Sequence, residues 1–304
     1  MKPRKNKFYR DGSFHHLYVK AINGKVIFYR LEDYLSFYTL FSILARKYRI
    51  QTEAFCIMFN HFHACVLARS HEALKAFCRE LSSKFTISYN NEYHLSGKLF
   101  MPCGYAPKSS GKLHRSCLIY IANNPTAGKL VQSAIKYKWN ILAYFNSGNP
   151  FSDKLVKRNS RFRMRCSLAI VDGRFRRGQY LNYKLLERIL DGLDSRERSQ
   201  VIDYVIVKYF FLDKESFVSH FGSLSNAMIA IDSSAGSEND FYEPWEDYSV
   251  YTTMLKATIT SGLDYKKYRF HEMSQADLKL LRRKLAGLPG ITMKHLERFL
   301  HIDY

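Results

Sequence analysis

The order of apolar and polar positions divides the first half of the chain into short strand-like runs and longer helical ones. Residues 14–22, FHHLYVKAI, and 25–29, KVIFY, predict two strands around the turn-forming Asn23-Gly24. LEDYLSFYTLFSILARKY then places Leu35, Tyr38, Leu40, Phe41 and Leu44 at helical spacing. Two further strand-like runs, EAFCIMF and FHACVLA, precede a helix, HEALKAFCRELSSKFTISYNNEY, with Leu74, Phe77, Leu81 and Phe85 on one face. After a Gly/Pro-containing loop from Gly97 to Gly111, HRSCLIYIANNP reads as a helix stopped near Pro125. Alternating strands and helices over about 145 residues predict one α+β domain.

Past residue 150 the pattern turns helical. Residues 151–231 form a basic segment followed by helical stretches such as LNYKLLERILDGL and RERSQVIDYVIVKYFF. A Ser/Gly-rich acidic break, residues 232–248, reads as a loop or linker, and residues 249–304 return to helix. Its acidic residues Glu238, Asp240, Glu243, Glu246 and Asp247 are expected in a solvated loop, with docking onto the basic segment as the alternative. In SQADLKLLRRKLAGLPGITMKHLERFLHIDY, Ser274 and Thr292 suit N-caps on either side of a Leu288-Pro289-Gly290 turn. Such a unit is either a helix-turn-helix offering Lys294, His295 and Arg298 to DNA, or a helical hairpin that only packs on the domain.

Charge narrows the choice of partner. The 304 residues carry 47 Lys and Arg against 27 Asp and Glu, a net charge of +20. An excess of this size calls for a polyanion, with nucleic acid first. No stretch approaches the roughly 18 uninterrupted apolar residues of a spanning helix, and the basic N-terminus has no apolar segment to make a signal peptide, so a cytoplasmic location is expected. The six cysteines are irregularly spaced, without a C-x-x-C pair or a tight Cys/His cluster, which argues against a zinc finger and a disulfide framework. The densest basic tract holds Lys154, Lys157, Arg158, Arg161, Arg163, Arg165, Arg174, Arg176 and Arg177. Read as a strand, it puts Arg161, Arg163 and Arg165 on one face able to follow a phosphate backbone; a solvated connector is the alternative.

Two motifs carry candidate chemistry. In FCIMFNHFHACVL, His61 and His63 lie on one face of a strand and can converge on one cation, although two buried histidines satisfied by backbone or water would give the same pattern. In YIANNPTAGKLV, Tyr120 and Asn124 are four residues apart on a helix and could both meet the histidines; Tyr120 as a core residue and Asn124-Pro125 as a helix end is the plainer reading.

Together, MFNHFH and YIANNPTAGKLVQSAIKYKWNILAY resemble the signatures of single-tyrosine HUH (His-hydrophobic-His) transposases, particularly the transposase-like proteins associated with repetitive extragenic palindromes (REP). The resemblance spans roughly residues 8–146, an ordinary domain length. It implies a ferredoxin-like or RRM-like domain with an antiparallel sheet, followed here by a mainly helical extension. It also implies that His61, His63 and Asn124 hold a divalent metal, Mg²⁺ or Mn²⁺, and that Tyr120 is the nucleophile. The implied partner is single-stranded DNA beside a hairpin, cut and transferred through a 5′-phosphotyrosine. Phe59 stands where the family often has proline, and LFMPCGY replaces its usual aromatic pattern; neither departure touches the four site residues. The alternative is a domesticated relative that binds DNA hairpins without cutting them.

Overall fold

The computed structural model describes residues 8–233 and 246–302. Its strands are β1 (Phe14–Lys20), β2 (Gln51–Ile57), β3 (His61–Leu67) and β4 (Gly104–Lys108), ordered β2-β3-β1-β4 with each neighbouring pair antiparallel. With α1 (Leu31–Tyr48) between β1 and β2, and α2 (His71–Tyr93) between β3 and β4, this is the ferredoxin-like α+β arrangement. A third helix, α3 (Gly111–Ala127), follows β4.

Registers decide what each face carries. His16 sits opposite Cys65, Tyr18 opposite His63 and Lys20 opposite His61, so these six side chains share one face. The other face presents Phe62 to Phe37 and Phe41 of α1, with ring centroids 4.8 and 6.1 Å apart. On the histidine face α3 closes the sheet, its Tyr120 ring 5.4 Å from His63. Because helices cover both faces, β2 and β3 are buried almost throughout, polar residues included.

Local signals fix the helix ends. Ser70 and Ser110 accept the backbone N–H groups of Ala73 and Leu113, capping α2 and α3. Asp33 accepts the backbone N–H of Tyr29 and of Arg30 at the start of α1, and also takes the hydroxyls of Tyr93 and Tyr183. Pro125 falls inside the last turn of α3 and the helix ends at Gly128, so the proline comes just before the stop.

Three expectations are corrected. The 25–29 run is not a strand: Ile27 and Phe28 both donate to the Phe59 carbonyl and Val26 donates to that of Arg298. Its apolar character reflects burial of Val26, Ile27 and Phe28, with Phe28 packed on Tyr34, Phe37 and Phe85 of α1 and α2. The loop between Gly97 and Gly111 contains β4. The basic tract is helical, as α4 (Phe162–Arg176), and residues two apart on a helix point about 200° from one another. Arg163 therefore points away from Arg161 and Arg165, so the three do not line one face, and each has a local partner. Arg161 binds Glu197 through two nitrogens, Arg163 donates to the carbonyls of Arg188 and Asp191, and Arg165 to that of Ser160.

The extension surrounds the sheet. α4 packs on α5 (Tyr183–Leu190) and α6 (Ser195–Lys208), which rest on α1, on the side of the sheet away from α3. α7 (Lys214–Ser219) lies against β2 and α8 (Leu224–Ser233) against α3. The last helices are α9 (Ser249–Ile259), α10 (Gln275–Ala286) and α11 (Met293–Leu300), with Ser274 and Thr292 capping the latter two as expected. α11 packs on the domain: the Phe299 carbonyl accepts the Tyr29 hydroxyl, and Arg298 is held by Glu246. Lys294 stays exposed, whereas His295 has its Nδ1 engaged by the Thr292 N–H. Of the acidic stretch, Glu238, Asp240 and Glu243 lie outside the described residues; Asp247 pairs with Lys129 at 2.8 Å. No helix among the described residues is long and apolar enough to cross a membrane.

Candidate functional site

β3 and α3 run past one another with their polar residues in matching order. From β3 come His61, His63 and Cys65; from α3, at spacings of three and four, come Asn124, Tyr120, Cys117 and His114. At one end of this seam the His61 and His63 ring centroids are 4.9 Å apart, and Tyr120 is edge-on to His63. Asn124 hydrogen-bonds the His61 side chain and directs its amide N–H to the Tyr120 carbonyl at 3.4 Å. The four residues singled out by the motifs thus meet at one place, and all four are buried.

Hydrogen bonds set the histidine tautomers. The Asn60 amide is fixed by the Gly24 carbonyl at 3.0 Å, so its oxygen accepts from His61 Nδ1 at 2.7 Å. With the proton on Nδ1, His61 keeps a lone pair on Nε2. His63 Nδ1 lies 2.9 Å from His16 Nε2, while its own Nε2 is buried without a hydrogen-bond partner. Such an orphan is uncommon in a folded interior and points to a ligand-binding atom. Burial, with the Lys20 ammonium adding to it, pushes His61 down to about 3, and burial, with His61, His16 and Lys20 close by, holds His63 well below the usual imidazole range. Both rings are therefore neutral, the form that binds metals. Two imidazole nitrogens and an amide oxygen suit a divalent cation, so these residues fit the implied group.

Several residues at this end were not legible as site residues. His16 and Lys20 arrive through the β1–β3 register, four residues apart on the same face. Asn60 orients His61 from the residue before it. Tyr248 comes from the C-terminal part: its backbone N–H donates to the Gly128 carbonyl, and its hydroxyl stands 3.5 Å from His61 Nδ1. A Cβ on Gly128 would meet the Tyr248 ring at 2.8 Å, so glycine there leaves room for the second tyrosine.

At the other end of the seam a cluster forms that the linear spacings do not reveal. Glu53, Cys65 and His114 bring ligand atoms within 4.8 Å of one another, a group able to hold a metal ion. The reading that the cysteines join no Cys/His cluster holds along the sequence but not in space. Among the basic residues expected at DNA, Lys154, Lys157, Arg158, Arg176 and Arg177 are exposed and Arg174 half-buried, all on the α4 side and not on the histidine face.

Comparison with known proteins gives one distant likeness. A solved structure of a REP-associated tyrosine transposase bound to a REP hairpin aligns with a TM-score of 0.41 and 15% identity, covering 47% of this chain and 84% of the other. No family model matches the sequence. No curated protein matches it either.

Proposed function

We propose that the chain is a metal-dependent single-stranded DNA endonuclease and strand transferase of the HUH type, with Tyr120 as nucleophile. The observation that carries this reading is the meeting of His61, His63, Asn124 and Tyr120 around a buried imidazole nitrogen that has no protein partner. The net charge of +20 supports a polyanionic substrate.

His61, His63 and Asn124 would hold Mg²⁺ or Mn²⁺. When bound there, the ion would supply positive charge to offset the charge that develops on the phosphate in the transition state. The protein groups do the rest. Asn60 holds the His61 imidazole with its proton on Nδ1, and His16 orients the His63 ring. Lys20, on the same strand face as the histidines, is suited to a flanking phosphate. The Tyr120 oxygen, after losing its proton, forms a bond to phosphorus as the bond to the 3′ oxygen breaks. That oxygen leaves as a 3′-hydroxyl after taking up a proton, and the 5′-phosphate remains on tyrosine as a diester. An ester of this kind keeps the energy of the broken bond, so attack by another 3′-hydroxyl rejoins DNA.

A second reading, a DNA-hairpin binder that does not cut, draws on one observation: Tyr248 lies over His61 and the site is buried. A denaturing gel separates the two. Labelled single-stranded hairpin oligonucleotides are incubated with the protein and Mg²⁺ or Mn²⁺. The expected result is a metal-dependent protein-linked band that disappears in Tyr120→Phe and persists in Tyr248→Phe. Tight binding with no adduct, insensitive to chelator and to His61→Ala, selects the binder; an adduct retained in Tyr120→Phe and lost in Tyr248→Phe moves the nucleophile to the other tyrosine.

A further inference from the structure

The cluster at the far end of the seam has a construction of its own. Antiparallel pairing of β2 with β3 is interrupted between Thr52 and Ala54, so Glu53 is the extra residue of a bulge. A bulge re-aims a side chain, and here it brings the Glu53 carboxylate to the face that carries Cys65. The carboxylate is fully buried. It meets His114 Nε2 at 2.5 Å through one oxygen; the other oxygen meets His220 Nε2 at 3.1 Å and accepts the Ser216 hydroxyl. The His114 and His220 rings lie 4.2 Å apart, and the Cys65 thiol is in hydrogen-bonding contact with Cys117. Three separate pieces of chain, β2, β3 and α3, thus deliver a carboxylate, a thiol and an imidazole to one spot, and the end of α7 brings His220 against the carboxylate.

Pairing of Glu53 with two histidines accounts for the carboxylate but not for the Cys65 sulfur, which stands within 4.8 Å of both the Glu53 and His114 ligand atoms. A metal ion uses all three. Thiolate, imidazole and carboxylate together form a borderline-soft donor set, which favours zinc over the hard cations that take oxygen ligands. Three such donors leave the fourth position of zinc's tetrahedron to an exogenous ligand.

We propose that Glu53, Cys65 and His114 form a Zn²⁺ centre at the back of the seam, with His220 of the helical extension holding Glu53 in its ligand orientation. Cys117 is the neighbour that hydrogen-bonds the Cys65 sulfur. The centre is distinct from the His61 and His63 end: Cys65 follows His63 by two residues on one strand face, a separation of about 7 Å. It stands or falls independently of the nucleophile assigned to Tyr120.

Metal analysis of the full chain tests it. Protein stripped with a chelator is reconstituted with Zn²⁺, and in parallel with Co²⁺, and bound metal is quantified after gel filtration. One zinc per chain is expected, raising the thermal midpoint, and the cobalt form should show a near-ultraviolet thiolate charge-transfer band and visible tetrahedral bands. Cys65→Ser should lose the charge-transfer band. His220→Gln, at a partly exposed side chain, should weaken zinc retention at least tenfold and serves if Cys65→Ser does not fold. His61→Ala should retain this zinc. The proposal is overturned by a folded wild-type chain that takes up neither metal, by a cobalt spectrum with no thiolate band, or by zinc retained in His220→Gln but lost in His61→Ala.

Discussion

The two ends of the β3–α3 seam use the same elements for opposite purposes. At the His61 end the polar groups are held from behind, by Asn60 and His16, and His63 Nε2 faces the site with no protein partner. At the Glu53 end the groups turn on one another, and both carboxylate oxygens are engaged. A site that must accept a passing substrate leaves donor capacity unfilled and bears the local cost of doing so. A site that holds the fold together fills it. Removing a group should therefore damage chemistry at the first end and stability at the second.

The largest expected effect is at the open end. Tyr120→Phe should bring the covalent adduct below detection while changing unfolding free energy by no more than about 1.5 kcal/mol, the net worth of a lost hydroxyl hydrogen bond. Parallel adduct gels and denaturant titrations read both numbers. A large loss of stability with residual adduct would make Tyr120 a core residue after all.

At the closed end, Glu53→Ala removes the buried carboxylate that His114, His220 and the Ser216 hydroxyl share. Denaturant unfolding in the presence of chelator should show a loss of about 3–5 kcal/mol, from several hydrogen bonds to a charged group at about 1.5–3 kcal/mol each. A loss under about 1 kcal/mol would remove the contrast between the ends.

His15 supplies a control on the same strand, facing away from both sites. Burial lowers it to about 4. Below pH 6.5 the unfolded chain takes up a proton that the folded one does not, so the contribution of His15 is present above that pH and is lost as pH falls toward 4. Relative to His15→Gln, the wild type should lose up to about 3 kcal/mol across this window and nothing above it. Urea titrations of both proteins at several pH values check the sign; a difference independent of pH would mean that His15 is already charged in the fold.

The smallest effect concerns the two sides of the sheet. Lys20→Ala should weaken single-stranded DNA binding severalfold and reduce the slope of log affinity against log salt by about one, as for one lost phosphate contact. Arg161→Ala should leave the slope unchanged, because Glu197 already holds that guanidinium. Fluorescence anisotropy over a salt series measures both. The reverse outcome would place the DNA on the α4 side.

How much of this was legible depends on the range over which the causes act. The α2 helix matched its residues from His71 to Tyr93 because an apolar stripe, a serine cap and long unbroken periodicity agree. The α4 segment misled because Arg-Phe-Arg-Met-Arg alternates over five residues, whereas the buried Met164, Leu168 and Val171 reveal helix only over a longer window. The β4 strand was hidden by Gly104 and Pro107, residues that strands disfavour and that an edge position tolerates. In KVIFY, apolar side chains marked burial without saying what would cover them.

The sequence alone determined that His61 and His63 share a face, and that Tyr120 and Asn124 share another, because strand and helix periodicities are local properties of the backbone. Only the tertiary structure brought those faces together, supplied His16, Lys20 and Tyr248, and gathered the second cluster. Glu53 and His220 are 167 residues apart, joined through a bulge, a strand register and the packing of α7. No local pattern encodes such a meeting, because it depends on which buried surfaces of the whole chain fit one another.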